Sequence, residues 1–144
     1  MSLVKHVIET KGHEVYAIHP NALVIDALRR MAEHNVGSLV VIENHKLVGI
    51  ITERHYARQI ALKGRTSAST AVRDIMSKRV ACVRADQSVE ECMMIMNKRS
   101  VSHLPVLDHG CIVGIVSIGD MVNSIISDQQ FVIDELEHFI HGER

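Results

Sequence analysis

The chain contains no tryptophan and only two tyrosines and two phenylalanines among its 144 residues. Its core therefore has to be aliphatic, built from Val, Ile, Leu and Met. Long apolar runs are missing as well: no stretch approaches the ~18–20 residues of a membrane span. No charged-then-apolar leader precedes the fold, so the expected location is the cytoplasm. Excess charge is missing too. Sixteen Lys and Arg stand against 17 Asp and Glu, for a net charge of −1. That balance removes the broad basic field that non-specific nucleic-acid binding needs. The three cysteines form no metal or redox spacing. Cys82 falls in a predicted strand, Cys92 on the apolar face of a helix and Cys111 in a hairpin turn, a pattern of reduced cytosolic thiols. There is no Gly-x-Ser-x-Gly turn, no phosphate-loop glycine run and no zinc spacing, so no catalysis is expected. What remains is 47% hydrophobic and 23% charged, the composition of an ordinary globular chain.

The sequence repeats itself. Residues 15–58 slide by 65 positions onto residues 80–123 without a gap, and nine of the 44 pairs are identical. These include Val24/Val89, Met31/Met96, Leu39/Leu104, Val41/Val106 and Gly49/Gly114. Many other pairs exchange one aliphatic residue for another, so the copies share an apolar skeleton. A repeat of this length cannot bury its own hydrophobic face, and pairing two copies solves that while creating clefts.

Each copy reads strand, helix, strand, strand, helix. In the first, a strand over 15–18 precedes Val24, Ala27, Leu28 and Met31 at helical spacing. A buried strand over 39–42, a turn over 43–45, a strand over 47–52 and a helix over 55–63 follow. The second copy has a strand over 80–83 and a helical stripe of Val89, Cys92, Met93 and Met96. Strands over 104–107 and 112–117 flank a turn over 108–110. Ser88 and Glu91 form a capping-box start. Pro105 cannot donate to a ladder, which places its nitrogen at a sheet edge or loop. Small residues over 64–70 link the copies. Two similar pentads, Val4-Lys5-His6-Val7-Ile8 and Val72-Arg73-Asp74-Ile75-Met76, introduce them. Val132, Leu136, Phe139 and Ile140 make an apolar stripe on a last helix, suited either to packing on its own core or to completing a homodimer.

The strongest local signal closes each hairpin. The first copy has Gly49-Ile50-Ile51-Thr52-Glu53-Arg54-His55, the second Gly114-Ile115-Val116-Ser117-Ile118-Gly119-Asp120. This puts a hydroxyl at the strand exit and, in the second copy, a carboxylate at the helix start. Such an Asp can accept two hydrogen bonds from a vicinal diol while the hydroxyl reaches a ribose or phosphate oxygen. Nearby helix-terminal amides suit phosphate. The same Asp120 equally suits a plain helix cap, and spacing alone leaves both roles open. The duplication weighs toward the ligand role, because both copies keep a hydroxyl while the other carries His55. Elsewhere, His138 and His141 beside Glu137 lack a third metal ligand. Met93, Met94 and Met96 at helical spacing read as core filling. Lys63-Gly64-Arg65 and Lys78-Arg79 read as solvated charges.

The doubled unit, the stretch from Arg99 through Ser102, His103 and Pro105 to Val106, and the stretch from Gly114 to Asp120 resemble a tandem pair of cystathionine-β-synthase-type domains, the CBS or Bateman module. The likeness covers essentially the whole chain. With the final helix over 130–142 it is similar to stand-alone bacterial CBS-pair proteins and their plant relatives. The resemblance implies an α/β (α+β) fold of two β-α-β-β-α repeats packed about a pseudo-twofold axis, plus a C-terminal helix. Repeat 1 would be residues 1–66, repeat 2 residues 67–127 and the helix 128–144. It implies a disc-shaped homodimer and an adenine nucleotide (AMP, ADP, ATP, S-adenosylmethionine or NAD(H)) in the cleft between repeats, as a regulatory ligand rather than a catalytic cofactor.

Carried over by position, one site uses Ile115, Ser117, Gly119 and Asp120, with Val15 and Tyr16 at the adenine, Gly37 and Ser38 beside it and His103 near phosphate. A weaker second site uses Ile50, Thr52, Arg54 and His55, with Met76, Ala81 and Ser102 opposite. His55 departs from the family pattern, since imidazole cannot clamp two hydroxyls. The competing expectation is a non-catalytic dimeric scaffold with a vestigial cleft. No metal, membrane or nucleic acid is expected to bind.

Overall fold

The computed structural model describes residues 2–141. Residues 142–144, to which the last helix was expected to extend, lie outside the described part. The chain forms two compact units: a contiguous one over Val15–Val80, and a split one that joins Met1–Glu14 to Ala81–Arg144.

Each unit carries one three-stranded sheet. In the contiguous unit, β1 (Ala17–Ile18) runs parallel to β2 (Ser38–Glu43), which pairs antiparallel with β3 (Lys46–Thr52). In the split unit, β4 (Val83–Arg84), β5 (His103–Asp108) and β6 (Cys111–Ser117) repeat that order. The hairpin strands fall where the apolar runs placed them, each extended by a residue or two. Asn44 and His45 turn the first hairpin with φ of 53° and 65°, the double positive φ that a two-residue turn between twisted strands requires. Cys111 belongs to β6 rather than to the turn, and Cys82 precedes β4.

The first strands are shorter than expected, two residues in each unit, and they differ by one position. Pro105 explains the difference. Its counterpart Val40 donates its N–H to the Tyr16 carbonyl at 3.1 Å, extending the β1–β2 pairing to Ala17. Proline has no N–H to give, so the β4–β5 pairing begins one step later, at Val83 and Val106. β5 is the middle strand, yet Pro105 lies beyond the residues that β4 pairs.

Two equivalent helices, α2 (Val24–His34) and α4 (Val89–Arg99), bury the predicted stripes and end on the left-handed residues Asn35 and Ser100. Ser88 accepts the Glu91 N–H at 3.1 Å, as its spacing predicts. After β3, α3 (Glu53–Tyr56) passes into a π-helical turn over Ala57–Ala61, in place of the single helix expected over 55–63. After β6, α5 runs unbroken over Ile118–Ile140, so the helix expected from 128 is its second half.

The introducing pentads pack differently from their order in the sequence. The first lies in α1 (Val4–Lys11), whose Val4 and Ile8 are buried in the split unit with Val89, Cys92, Met96, Leu104 and Met121. The second forms a 3-10 turn over Val72–Asp74, whose Val72 is buried in the contiguous unit with Val24, Met31, Leu39 and Ile51. The same backbone clasp holds both. Val4 N–H bonds Gln87 O at 2.8 Å, and Val72 N–H bonds the equivalent Ala22 O at 2.8 Å. Each leader therefore serves the other repeat's unit, and the limits of the two compact units fall at 14/15 and 80/81. Burying one such Val or Ile side chain contributes about 1.5–3 kcal/mol, enough to fix these docked positions.

Gly49 and Gly114 receive the leaders. A Cβ on Gly49 would lie 2.6 Å from Met76 Sδ and 2.8 Å from Ser77 O, and one on Gly114 would collide with Ile8 Cδ1.

Candidate functional site

The strand exits are built alike. Ser117 ends β6 and caps α5: its Oγ accepts the Asp120 N–H at 3.2 Å, and its own N–H donates to Asp120 Oδ2 at 2.8 Å. Thr52 ends β3 and caps α3. Its Oγ1 accepts the His55 N–H at 3.3 Å, and its N–H donates to His55 Nδ1 at 2.9 Å. Asp120 is thus the third residue of its helix and part of a reciprocal cap.

Each exit is bordered by the strand that precedes the hairpin. Ser102 O accepts the Ile118 N–H at 3.0 Å, and His103 pairs in register with Ser117. Ser102 Oγ lies 3.1 Å from His103 Nδ1. In the contiguous unit Gly37 O accepts the Glu53 N–H at 3.1 Å, and Ser38 pairs with Thr52. Tyr16 stacks on His34 with ring centroids 3.8 Å apart.

The expected site residues are therefore divided by unit. Ile115, Ser117, Gly119, Asp120, Ser102, His103 and Ala81 belong to the split unit, and Val15, Tyr16, Gly37, Ser38, Ile50, Thr52, Arg54, His55 and Met76 to the contiguous one. Within each unit the hydroxyl, the third helical residue and the neighbouring strand start come together. Met76 is taken up by packing on Gly49, and Ala81 packs against the split unit's core.

The electrostatics of the two exits differ. Lys11, on the last turn of α1, donates to Asp120 Oδ2 at 2.5 Å and to Ile115 O at 2.8 Å. The Asp120 side chain is 21% exposed and that of Lys11 34%, so the pair is only partly screened by water. Lys11 was not among the sequence candidates. The sequence signal for it is its place three residues after the first pentad, as Arg79 stands three residues after the second. At the other exit, burial pushes the His55 imidazole below its ordinary value of 6.5, and Arg54 and Arg58 push it further the same way. Because His55 Nδ1 accepts the Thr52 N–H, the neutral ring carries its proton on Nε2. His55 thus presents a donor where Asp120 presents an acceptor.

A cavity of about 360 Å³ opens between α1 and α5, lined by His6, Thr10, Lys11, Asp120, Asn123 and Ser124 among others. Cys92 is a core side chain. Burial, and secondarily Glu91, pushes its thiol up to about 11, so it is no nucleophile at neutral pH. Among the described residues no group of three His, Cys, Asp or Glu side chains is placed to hold a metal ion, and no helix is long and apolar enough to cross a membrane.

Two units of one β-α-β-β-α plan, each closing in a hydroxyl-capped strand exit, define a tandem-repeat α/β module. Its family follows from comparison. The CBS domain model matches residues 4–62 and again 72–127, and the chain belongs to the CBS domain family as a tandem pair. It is similar to the CBS domain-containing protein CBSX3, mitochondrial, of Arabidopsis thaliana, 39% identical over 83% of this chain and 60% of that protein. It is likewise similar to the CBS domain-containing protein YhcV of Bacillus subtilis, 31% identical over 90% of this chain and 89% of that one.

Among solved structures, a Burkholderia ambifaria protein with CBS domains superposes with a TM-score of 0.85 at 40% identity, covering 89% of this chain and 96% of that one. The CBS domain pair of protein MJ0100, solved with 5′-methylthioadenosine and S-adenosyl-L-methionine, superposes at 0.77 with 27% identity, covering 89% and 98%. An inosine-5′-monophosphate dehydrogenase of Methanocaldococcus jannaschii also matches, over only 23% of that enzyme.

Proposed function

We propose that this protein is a non-catalytic sensor that binds an adenine nucleotide at the strand exit of its second repeat. The observation that carries the reading is that Asp120 lines the cavity between α1 and α5 while the Ser117 N–H, at 2.8 Å from Oδ2, holds its carboxylate beside a hydroxyl. A carboxylate so held can take the vicinal diol of a ribose, with Ser117 and His103 flanking it and Ile115 and Gly119 supplying backbone. The adenosine ligands of the MJ0100 pair support the ligand class. A bound nucleotide stabilises the state that binds it in proportion to its excess over the dissociation constant, which couples ligand level to the protein's population of states.

Titration calorimetry with AMP, ATP, NADH and S-adenosylmethionine tests the reading. Saturable heat with at least one of them, lost in Asp120→Ala, is the expected result. A flat panel overturns it.

A second reading has its own observation. Along α5, Ile126, Val132, Ile133, Leu136, Phe139 and Ile140 are all at least 49% exposed and lie on one side of the helix, a face suited to a second copy of the chain. A flat nucleotide panel, together with a dimer that Leu136→Glu and Phe139→Glu dissolve in sedimentation, would favour a dimeric scaffold.

A further inference from the structure

A vicinal diol engages both oxygens of a carboxylate, and Asp120 Oδ2 already accepts from Ser117 N–H and from the Lys11 ammonium. The same ammonium donates to the carbonyl of Ile115, another residue of the proposed site. Lys11 therefore occupies the position of a ligand's donor groups. Its two bonds join α1 to the far end of the chain, 109 residues away for Asp120.

The pairing is confined to one unit. Counting from the leaders and the repeats, the equivalents of Lys11 and Asp120 are Arg79 and His55, a cation with no carboxylate to meet.

From this arrangement, and resting on the nucleotide-site reading above, we propose that Lys11 is a latch on Asp120 that makes the site selective for phosphorylated nucleosides. The physical argument is one of exchange. For a neutral nucleoside to seat its diol, the ammonium must leave a charge-assisted hydrogen bond and find only water in return. A nucleotide brings its own anion. Its phosphate takes up the released ammonium, so the bond given up at Asp120 is replaced by one of the same kind. A sulfonium ligand brings a second cation and worsens the exchange.

Lys11 has the means to move. It sits on a flexible four-carbon stem, and it lies on the wall of the cavity between α1 and α5, where Thr10, Asn123 and Ser124 offer further polar groups to a phosphate. Asp120 is the binding group here and Lys11 the positioning and selecting one.

The test is calorimetric titration of adenosine and of AMP against the whole protein, its Lys11→Ala variant and its Lys11→Arg variant. Releasing a partly exposed ion pair should tighten adenosine about two- to fivefold in Lys11→Ala. Losing a charged phosphate contact should weaken AMP by about tenfold or more in the same variant. The two ligands thus move in opposite directions, which a merely structural role for Lys11 cannot produce. Lys11→Arg, which keeps the charge, should keep the preference for AMP. Lys11→Met, which keeps most of the apolar stem, repeats the measurement should the alanine variant unfold.

A shift of both ligands by the same factor in the same direction, or no shift of either, overturns the latch and leaves the nucleotide site standing. Failure of the wild-type protein to bind either ligand overturns the site reading and the latch together.

Discussion

Ser117 and Thr52 cap their helices with the same pair of bonds, yet the third helical residue is a carboxylate in one unit and an imidazole in the other. The cap asks only for an acceptor aimed at the N–H of the capping residue, and both groups supply one. Backbone satisfaction therefore does not dictate which of the two stands there. The difference appears beyond the cap, where Asp120 draws the Lys11 ammonium and His55 sits near the cations Arg54 and Arg58. The duplicated frame fixes where a polar group is held; its charge sets what that group can meet.

The likeness of the frames is best broken at the glycines. Gly49→Ala and Gly114→Ala should each destabilise by about 1–3 kcal/mol through overpacking. Gly49→Ala should be the worse, because its new methyl meets the backbone oxygen of Ser77 at 2.8 Å, whereas Gly114→Ala meets the Ile8 side chain and, among its nearest contacts, no backbone atom. Urea midpoints measure both, and equal losses would count against the leader-on-glycine packing.

The difference between the exits is broken next. Asp120→Ala should weaken AMP binding about ten- to a hundredfold, the equivalent of a charged hydrogen bond, while His55→Ala should leave it within about twofold. Comparable losses would remove the asymmetry. Conversely, His55→Asp places a carboxylate at the other exit, in the repeat whose counterpart of Lys11 is Arg79. It should raise nucleotide affinity at that exit by about tenfold, read as a second binding event in the titration.

The smallest effect is that of pH. The folded pKa of His55 lies below the ordinary 6.5, so the unfolded chain takes up the proton first on acidification. Its contribution to stability is present above pH 6.5 and is lost as pH falls through the depressed folded value. His55→Asn, which keeps an acceptor but does not titrate, should flatten the fall in thermal midpoint between neutral and mildly acidic buffer.

Much of this was legible in the sequence because local rules and tertiary packing agree. The 65-residue offset carries the sheets, the Ser88–Glu91 spacing carries a cap, and the Ser/Thr strand exits fall where the pattern placed them. The misses share a cause. Two-residue first strands are too short for periodicity to register, and Pro105 trims one of them through a hydrogen bond it cannot make. The π-helical turn after Tyr56 has no sequence signature distinct from a helix. The docking of each leader on the other repeat's unit is invisible to any local reading, because Val4 and Val72 look equally apolar wherever they pack. Lys11 was missed for the same reason: its partner Asp120 is 109 residues away. The contents of the two hydroxyl exits were legible, and the ammonium that sits on one of them was not.

The connectivity of the split unit also bears on how the molecule is made. Helix α1 is translated before every other element that buries it, and the residues that bury Val4 and Ile8 run as far as Met121. At ~5–20 residues per second, synthesis of the intervening chain takes roughly 5–20 s. Through that interval the contiguous unit can complete itself while α1 waits for the residues that cover it. A segment made ahead of its partners is buried only once Met121 has followed, so nascent-chain length sets when this half of the protein closes.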